Sequence, residues 1–359
     1  MKVWKATCLS LKIEIQQILI MHNEKVDVLI VGAGPAGLSC AKALGDSNLN
    51  VLVLEKNKIV GPKVCAGGIT GLAPGKELPA GKAVRFHNQH LFVNDRQSLI
   101  RLEQPISMID RRALGDLQTG ELKQFDNVRV RTGKRVVKLT REHVVTRDGG
   151  RISFRYLVGA DGATSVVRRH LGLTTRFYAG IQYILGTVHD RCCWFVRPRR
   201  LRTGYAWIFP HTNFTSAGVY FNPKLVTFSK AKKCLVSILD KHNLDYSDAR
   251  FESAPINCMY YGIKFGNILL AGEAAGLVSA ASGEGIPYAL TSGEDIGRHI
   301  LNPWYDFDKI CCLLRYKRRQ EMILKAMDSL SPLLQEMMFT LFMKLMMNER
   351  VRSHIEGAA

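Results

Sequence analysis

Val26-Asp27-Val28-Leu29-Ile30-Val31-Gly32-Ala33-Gly34-Pro35-Ala36-Gly37 decides the fold. Apart from Asp27, its first six residues are an apolar run suited to a short buried strand. The glycines follow at once, and residues 38–44 are compatible with a helix. A glycine-rich turn without a ligand is the plain alternative. Strand, GxGxxG and helix in immediate succession, however, form the context in which this pattern binds a dinucleotide. Gly32 permits the tight turn and Gly34 lets a pyrophosphate approach the backbone. Pro35 and Ala36 lead to Gly37, where helix and strand can pack closely. The helix N-terminus then faces phosphate. A second strand, residues 50–54, ends at Glu55-Lys56. A carboxylate there can accept hydrogen bonds from adenosine ribose hydroxyls, and it repels a 2′-phosphate, which disfavours NADP at this site.

The fingerprint by itself does not separate FAD from NAD; two later segments do. Residues 128–145 alternate in a manner suited to antiparallel strands. A buried strand over residues 155–158 then opens into Gly159-Ala160-Asp161-Gly162-Ala163-Thr164-Ser165-Val166-Val167-Arg168. The strand-like residues 267–271 open into Gly272-Glu273-Ala274-Ala275-Gly276, followed by Ser282-Gly283-Glu284-Gly285-Ile286 and a helix through His299. Each is strand, glycine turn, acid and helix, so bare backbone can approach a ligand while an acid binds hydroxyls. Three such segments can close around one flavin dinucleotide, and FAD is the expected cofactor.

Composition bounds the partners. With 359 residues, 47% of them hydrophobic, the chain is long enough for two packed domains. Fifty Lys and Arg against 31 Asp and Glu leave a net charge of +19, which attracts phosphorylated substrates, anionic lipid surfaces or nucleic acid. Zinc-finger spacing and an RRM-type aromatic signature are missing, so nucleic acid is not an expected partner. The nine cysteines include no CxxC pair, which points to a reduced cytoplasm and to no metal site. Residues 1–20 read as an extension ahead of Met21, with an apolar stretch too interrupted for a signal peptide, and no run is long and apolar enough for a membrane span.

Taken together, the GxGxxG turn, the GADGxxSxVR segment ending at Arg168 and the Gly272-to-Gly276 turn resemble the para-hydroxybenzoate hydroxylase superfamily of flavoproteins. Three further features narrow the resemblance to geranylgeranyl reductases: Lys63-Val64-Cys65-Ala66-Gly67-Gly68, Tyr205-Ala206-Trp207-Ile208-Phe209-Pro210, and Gly272 through Gly283, Gly285 and Ile286. The resemblance implies an α/β fold: a Rossmann-type FAD-binding domain, an inserted, mainly antiparallel β-sheet substrate domain and C-terminal helices. The expected FAD-binding segments are 21–75, 101–170 and 255–300, with substrate segments 76–100 and 171–254 and a helical region 301–359. By the same resemblance Arg111 holds the flavin near its pyrophosphate or ribityl chain, with Arg112 as a substitute. Asp161 and Gly162 belong to the dinucleotide turn, Glu273 sits near the ribityl hydroxyls, and Val137 contacts the cofactor. Glu273 stands where the family usually has Asp, and Ala280 where it usually has Pro.

The activity implied is saturation of carbon–carbon double bonds in a geranylgeranyl or other polyprenyl lipid or diphosphate by reduced flavin. One fingerprint leaves no dedicated nicotinamide domain, so electrons are expected from NAD(P)H docking transiently or from a ferredoxin-like carrier. Cys65, Tyr205 and Trp207 are the catalytic candidates, and Tyr205, Trp207, Phe209 and Pro210 the substrate-lining ones, against ordinary sheet core as the plain alternative. His211 is a further candidate proton donor. Arg197, Arg199, Arg200 and Arg202 read as a solvated loop or as a headgroup site. The Met-rich stretch 333–347 reads as core packing or as a peripheral helix on the inner face of a membrane. The rival functions are a single-component flavin monooxygenase and a flavin-binding redox protein without turnover.

Overall fold

The computed structural model describes residues 23–70, 78 and 81–347. The expected extension and the Met21 start lie outside them. Two eight-stranded sheets organise the chain. The first contains β1 (Asn23–Val31), β2 (Val51–Leu54), β6 (Val128–Arg131), β7 (Val136–Leu139), β8 (His143–Thr146), β9 (Arg151–Gly159), β15 (Lys264–Phe265) and β16 (Ile268–Leu270). Its main path runs β15-β16-β9-β1-β2-β6. The contacts of β1 with β2 and β9, of β2 with β6 and of β9 with β16 are parallel. Val28, Leu29, Ile30 and Leu52 are fully buried, as continuous apolar runs in a sheet covered on both faces must be. Helix α1 (Pro35–Ala43) starts directly after the glycine turn, with Pro35 at its first position. It packs against α6 (Ile286–Leu301).

The second sheet runs β14-β10-β13-β12-β11-β4-β5-β3, comprising β3 (Gly68–Ile69), β4 (Ala83–Val93), β5 (Arg96–Ile109), β10 (Phe177–Leu185), β11 (Cys193–Val196), β12 (Tyr205–Pro210), β13 (Thr215–Phe221) and β14 (Arg250–Asn257). All its pairings are antiparallel except β11 with β4. One face carries a core with α5 (Phe228–Lys241), through Ala206, Ile208, Ala217 and Val219. The other carries Trp207, Phe209, Tyr178 and Tyr220, the two-residue alternation of a strand covered on both sides. The remaining helices are α2 (Arg111–Leu122), α3 (Val166–His170), α4 (Pro198–Leu201), α7 (Asp308–Ser329) and α8 (Pro332–Met346).

The layers are those expected, but the divisions at 100/101 and 254/255 fall inside strands. β5 and β14 each lie wholly in the second sheet. In β5 the pairing with β4 shifts between Phe86 and Asn88, which face Ile106 and Arg101. Pro105 sits in that irregularity, where a residue without an N–H is tolerated, so a strand continues through what reads as a break.

Candidate functional site

Strand register assembles the site. Val31 lies opposite both Leu54 and Gly159, and Gly159 opposite Leu270. The residues that follow these strand ends, Gly32, Glu55, Ala160 and Ala271, therefore emerge side by side at the carboxyl edge of the parallel sheet, where ligands of such folds bind. A cavity of about 490 Å³ opens there. Gly32 has φ +105°, and a Cβ on it would stand 2.4 Å from the Ala160 oxygen, so this turn admits no side chain.

Of the expected flavin contacts, Gly32, Gly34, Pro35, Ala36, Glu55 and Lys56 line the cavity from the first segment. Cys65, Arg111, Asp161 and Gly162 line it from the middle of the chain, and Glu273, Gly285 and Ile286 from the late turn. Gly37 lies beneath the turn, against the Gly32 oxygen. Gly272 is held from behind, its N–H donating to Ser292 Oγ at 2.8 Å. Gly283 faces the Tyr220 ring instead. Val137 is a correction: it is 49% exposed, while Val136 is buried and lines the cavity. Adjacent residues on a strand point to opposite faces.

The carboxylates are positioned by backbone donors. Glu55 accepts from the Ala33 N–H at 3.0 Å and the Asn57 N–H at 2.9 Å, which fixes it at the end of β2 with lone pairs to spare. Asp161 accepts from the Ser165 hydroxyl and from the Val166 N–H at 2.6 Å, and burial raises its pKa. Glu273 forms a salt bridge with Lys63 and accepts from the Asn257 N–H at 3.2 Å. Its partner lies 210 residues away in sequence, at the start of the Cys65 loop, and the motif that contains Lys63 does not announce this pairing.

Arg168 was quoted within the second segment without a role. Its buried guanidinium donates to the Thr174, Ala274 and Met259 carbonyls at 2.6–3.0 Å, clamping the Asp161 turn to the Glu273 turn.

Six cations, Lys56, Lys63, Arg111, Lys134, Arg135 and Arg169, face three carboxylates in the cavity. Arg111 is 8% exposed, and its Nε is buried without a hydrogen-bond partner among the described residues. A buried cation left unpaired by the protein calls for an anionic ligand. With the bare-backbone edge at Gly32 and Gly34, this donor set fits the diphosphate and ribose of FAD.

The other candidates sit beside the cavity. Ala66, Gly67 and Gly68 continue the Cys65 loop toward the aromatic face of β12. Gly67 has φ +77°, and a Cβ there would meet His211 Cε1 at 2.4 Å. The His211 Nε2–H donates to the Ala66 oxygen at 3.0 Å, and burial pushes the imidazole pKa down; His211 holds this loop. Tyr205, Trp207 and Phe209 share one apolar cluster with Met108, Tyr178 and Tyr220, and Pro210 is buried at the end of β12. None of these four strand residues lines the cavity. The Tyr205 hydroxyl donates to the Ser282 oxygen at 2.5 Å and the Trp207 indole to Ser216 Oγ at 2.9 Å. Both polar hydrogens are thus bonded within the protein. Three of the four arginines of residues 197–202 are likewise engaged: Arg197 with Asp95, Arg199 with Glu336, and Arg202 with the Asp328 and Leu330 carbonyls.

Comparison with known proteins fits this geometry. An FAD binding domain family matches residues 105–303, and the pyridine nucleotide-disulphide oxidoreductase family matches residues 26–172. The chain belongs to the FAD-dependent oxidoreductases. It is 26% identical to digeranylgeranylglycerophospholipid reductase 3 of Methanosphaera stadtmanae over 323 residues, covering 77% of this chain and 78% of that one. In fold it is similar to a geranylgeranyl bacteriochlorophyll reductase-like protein of Thermoplasma acidophilum, with TM-score 0.73, 18% identity, and 88% and 90% of the two chains covered. It is also similar to p-nitrophenol 4-monooxygenase of Pseudomonas putida, with TM-score 0.70, 16% identity, and 92% and 97% covered. The flavin-binding fold thus serves both reductive and oxygenating relatives. Among the described residues no cluster suited to a metal occurs, and no helix is long and apolar enough to cross a membrane.

Proposed function

We propose that this oxidoreductase saturates carbon–carbon double bonds of a geranylgeranyl or other polyprenyl lipid, with electrons supplied by NAD(P)H or a ferredoxin-like carrier. The observation that carries the reading is the Cys65–Gly68 loop. Its first residue lines the cavity, while Ala66 packs into the aromatic cluster of β12 and its neighbours. The lipid reductase relative supports the same direction. When bound and reduced, FAD would supply the hydride for this saturation. The chain's share is to hold the diphosphate with Arg111 and the surrounding cations, to fix the adenosine ribose with Glu55, and to keep water from the reacting end with the Tyr205, Trp207 and Phe209 rings.

Saturation also requires a proton, and Glu284, the neighbour of the cavity-lining Gly285, would hold one. It is half-buried, accepts from the Thr70 N–H at 3.2 Å and from the Thr70 hydroxyl, and burial raises its pKa.

The test is anaerobic. FAD-loaded protein is reduced and mixed with a geranylgeranyl lipid; flavin reoxidation with a product two hydrogens heavier per saturated bond is expected. Oxygen incorporation into a phenolic substrate, with no saturation of the lipid, would overturn the reading in favour of a monooxygenase.

A further inference from the structure

Helix α8 turns its apolar side chains outward. Leu333, Leu334, Met337, Met338, Leu341, Phe342 and Leu345 are each 42–60% exposed. They recur at three- and four-residue spacing, forming one continuous stripe along the helix. The opposite face is packed against the protein: Met343 and Met346 lie with Leu91, Val93 and Ile100 of the second sheet, and the Gln335 amide N–H donates to the Met327 oxygen at 2.7 Å. Core packing therefore accounts for one side of α8 only. Seven large apolar side chains on the other form a patch of the kind that marks an interaction site.

Helix α7 repeats the arrangement. Met322 and Ile323 are each 65% exposed, opposite Leu324, which closes the aromatic cluster of Trp207 and Phe209. Arg318, Arg319 and Lys325 lie within one turn of Met322, and Lys344 lies within the α8 stripe. Among the described residues these four cations form no salt bridge.

Charge selects the occupant. A second copy of the chain would bring another +19 and the same cations against the stripe, which repels. An anionic bilayer surface neutralises them while the apolar side chains enter the headgroup boundary and the lysine and arginine stems extend to the phosphates. Helix α8 has 15 residues, about 22 Å at 1.5 Å per residue, too short to span and well suited to lie in the plane of the interface. We infer that the outer faces of α7 and α8 dock this enzyme onto an anionic membrane surface. The inference does not depend on the substrate, and docking would set helix α7 between the lipid and the aromatic cluster that Leu324 covers.

The test is flotation of the full-length, FAD-loaded protein with vesicles of phosphatidylcholine alone or mixed with phosphatidylglycerol. Binding to the mixed vesicles, reduced by high salt, is expected. The Met337→Glu/Leu341→Glu double variant replaces exposed side chains only and should keep its flavin absorbance and melting temperature, while its vesicle-bound fraction falls about tenfold or more. Arg319→Glu/Lys325→Glu should lose the preference for phosphatidylglycerol. Two results would overturn the inference. One is a wild-type dimer that the first variant splits and that binds no vesicle, which assigns the stripe to a second copy. The other is a wild-type monomer that stays with neither vesicle, which leaves the stripe to a protein partner.

Discussion

Replacing Arg111 with methionine should act with opposite signs on the flavin-free and flavin-loaded protein. In the flavin-free protein the guanidinium is 8% exposed, with its Nε unpartnered. Removing a buried charge that lacks a partner is neutral or stabilising, and methionine occupies the space of the aliphatic stem. Arg111 lines the cavity proposed for FAD, so with FAD bound the same guanidinium would face the anionic part of the cofactor. Losing one member of such a buried pair costs about 2–5 kcal/mol, or roughly 30-fold to several-thousand-fold in Kd. Take wild-type protein at FAD about 100 times its Kd, where the ligand adds about 2.7 kcal/mol of stability. A variant weakened hundredfold at the same FAD concentration gains only about 0.4 kcal/mol. The assay is paired: thermal melts of both proteins with and without FAD, and a fluorescence titration of FAD. The expected result is an unchanged or raised melting point without FAD and a smaller rise on adding it. An unchanged FAD affinity would refute the role assigned to Arg111. A flavin-free melting point that drops as far as the loaded one would show that Arg111 supports the fold.

Three other outcomes are expected. Arg168→Leu leaves the Thr174, Ala274 and Met259 carbonyls without their donor and should cost about 3–5 kcal/mol in urea unfolding, with weaker flavin binding because two flavin turns come apart. Gly32→Ala forces a Cβ to 2.4 Å from the Ala160 oxygen at φ +105° and should cost about 2–4 kcal/mol, read by the same unfolding curve. Burial raises the Glu284 pKa from its ordinary 4.5, so the folded state binds this proton more tightly than the unfolded chain. The stability contributed is complete below about pH 4.5 and is lost as pH rises through the folded value. Glu284→Gln should flatten that fall in midpoints measured from about pH 4 to pH 8; a variant with the wild-type slope would count against it.

The three flavin segments were legible because each is local: in the two later ones strand, glycine turn and acid fall within a dozen or so residues, in the first the acid, Glu55, ends the very next strand, and periodicity reveals the strands on either side. What brings them level is register, Val31 against Leu54 and Gly159 against Leu270, which the buried runs imply and only the sheet displays. The residues that were missed act over long separations. Lys63 meets Glu273 and Arg168 meets Ala274 across 210 and 106 positions; both residues fall in recognisable motifs, but neither pairing has a sequence signature. Val137 was mistaken for Val136 because a strand's phase decides which neighbour points inward. The Tyr205–Pro210 motif marks its strand but does not show the partners of its polar atoms, Ser282 in the late turn for Tyr205 and Ser216 on β13 for Trp207.

The departures at Glu273 and Ala280 acquire a different meaning once the C-terminal helices are in place. A proline at 280 would stiffen the late turn through its own ring; here the turn is tethered from outside. The Ala280 oxygen accepts from the Tyr220 hydroxyl at 2.9 Å, and Ser279 Oγ donates to Gln320 at 2.6 Å. The buried ammonium of Lys317 on α7 donates to the Val278 and Cys258 carbonyls at 2.9 and 3.0 Å. Rigidity that one residue would supply locally is spread over β13 and α7. Glu273, longer than aspartate by one methylene, reaches Lys63 and the Asn257 N–H, so the added length is used to bind the late turn to the Cys65 loop and to β14. Neither departure leaves the turn loose. Helix α7 therefore braces the late turn at one face while carrying Met322 and Ile323 on the other, and a force applied at its surface has a direct hydrogen-bonded route to that turn.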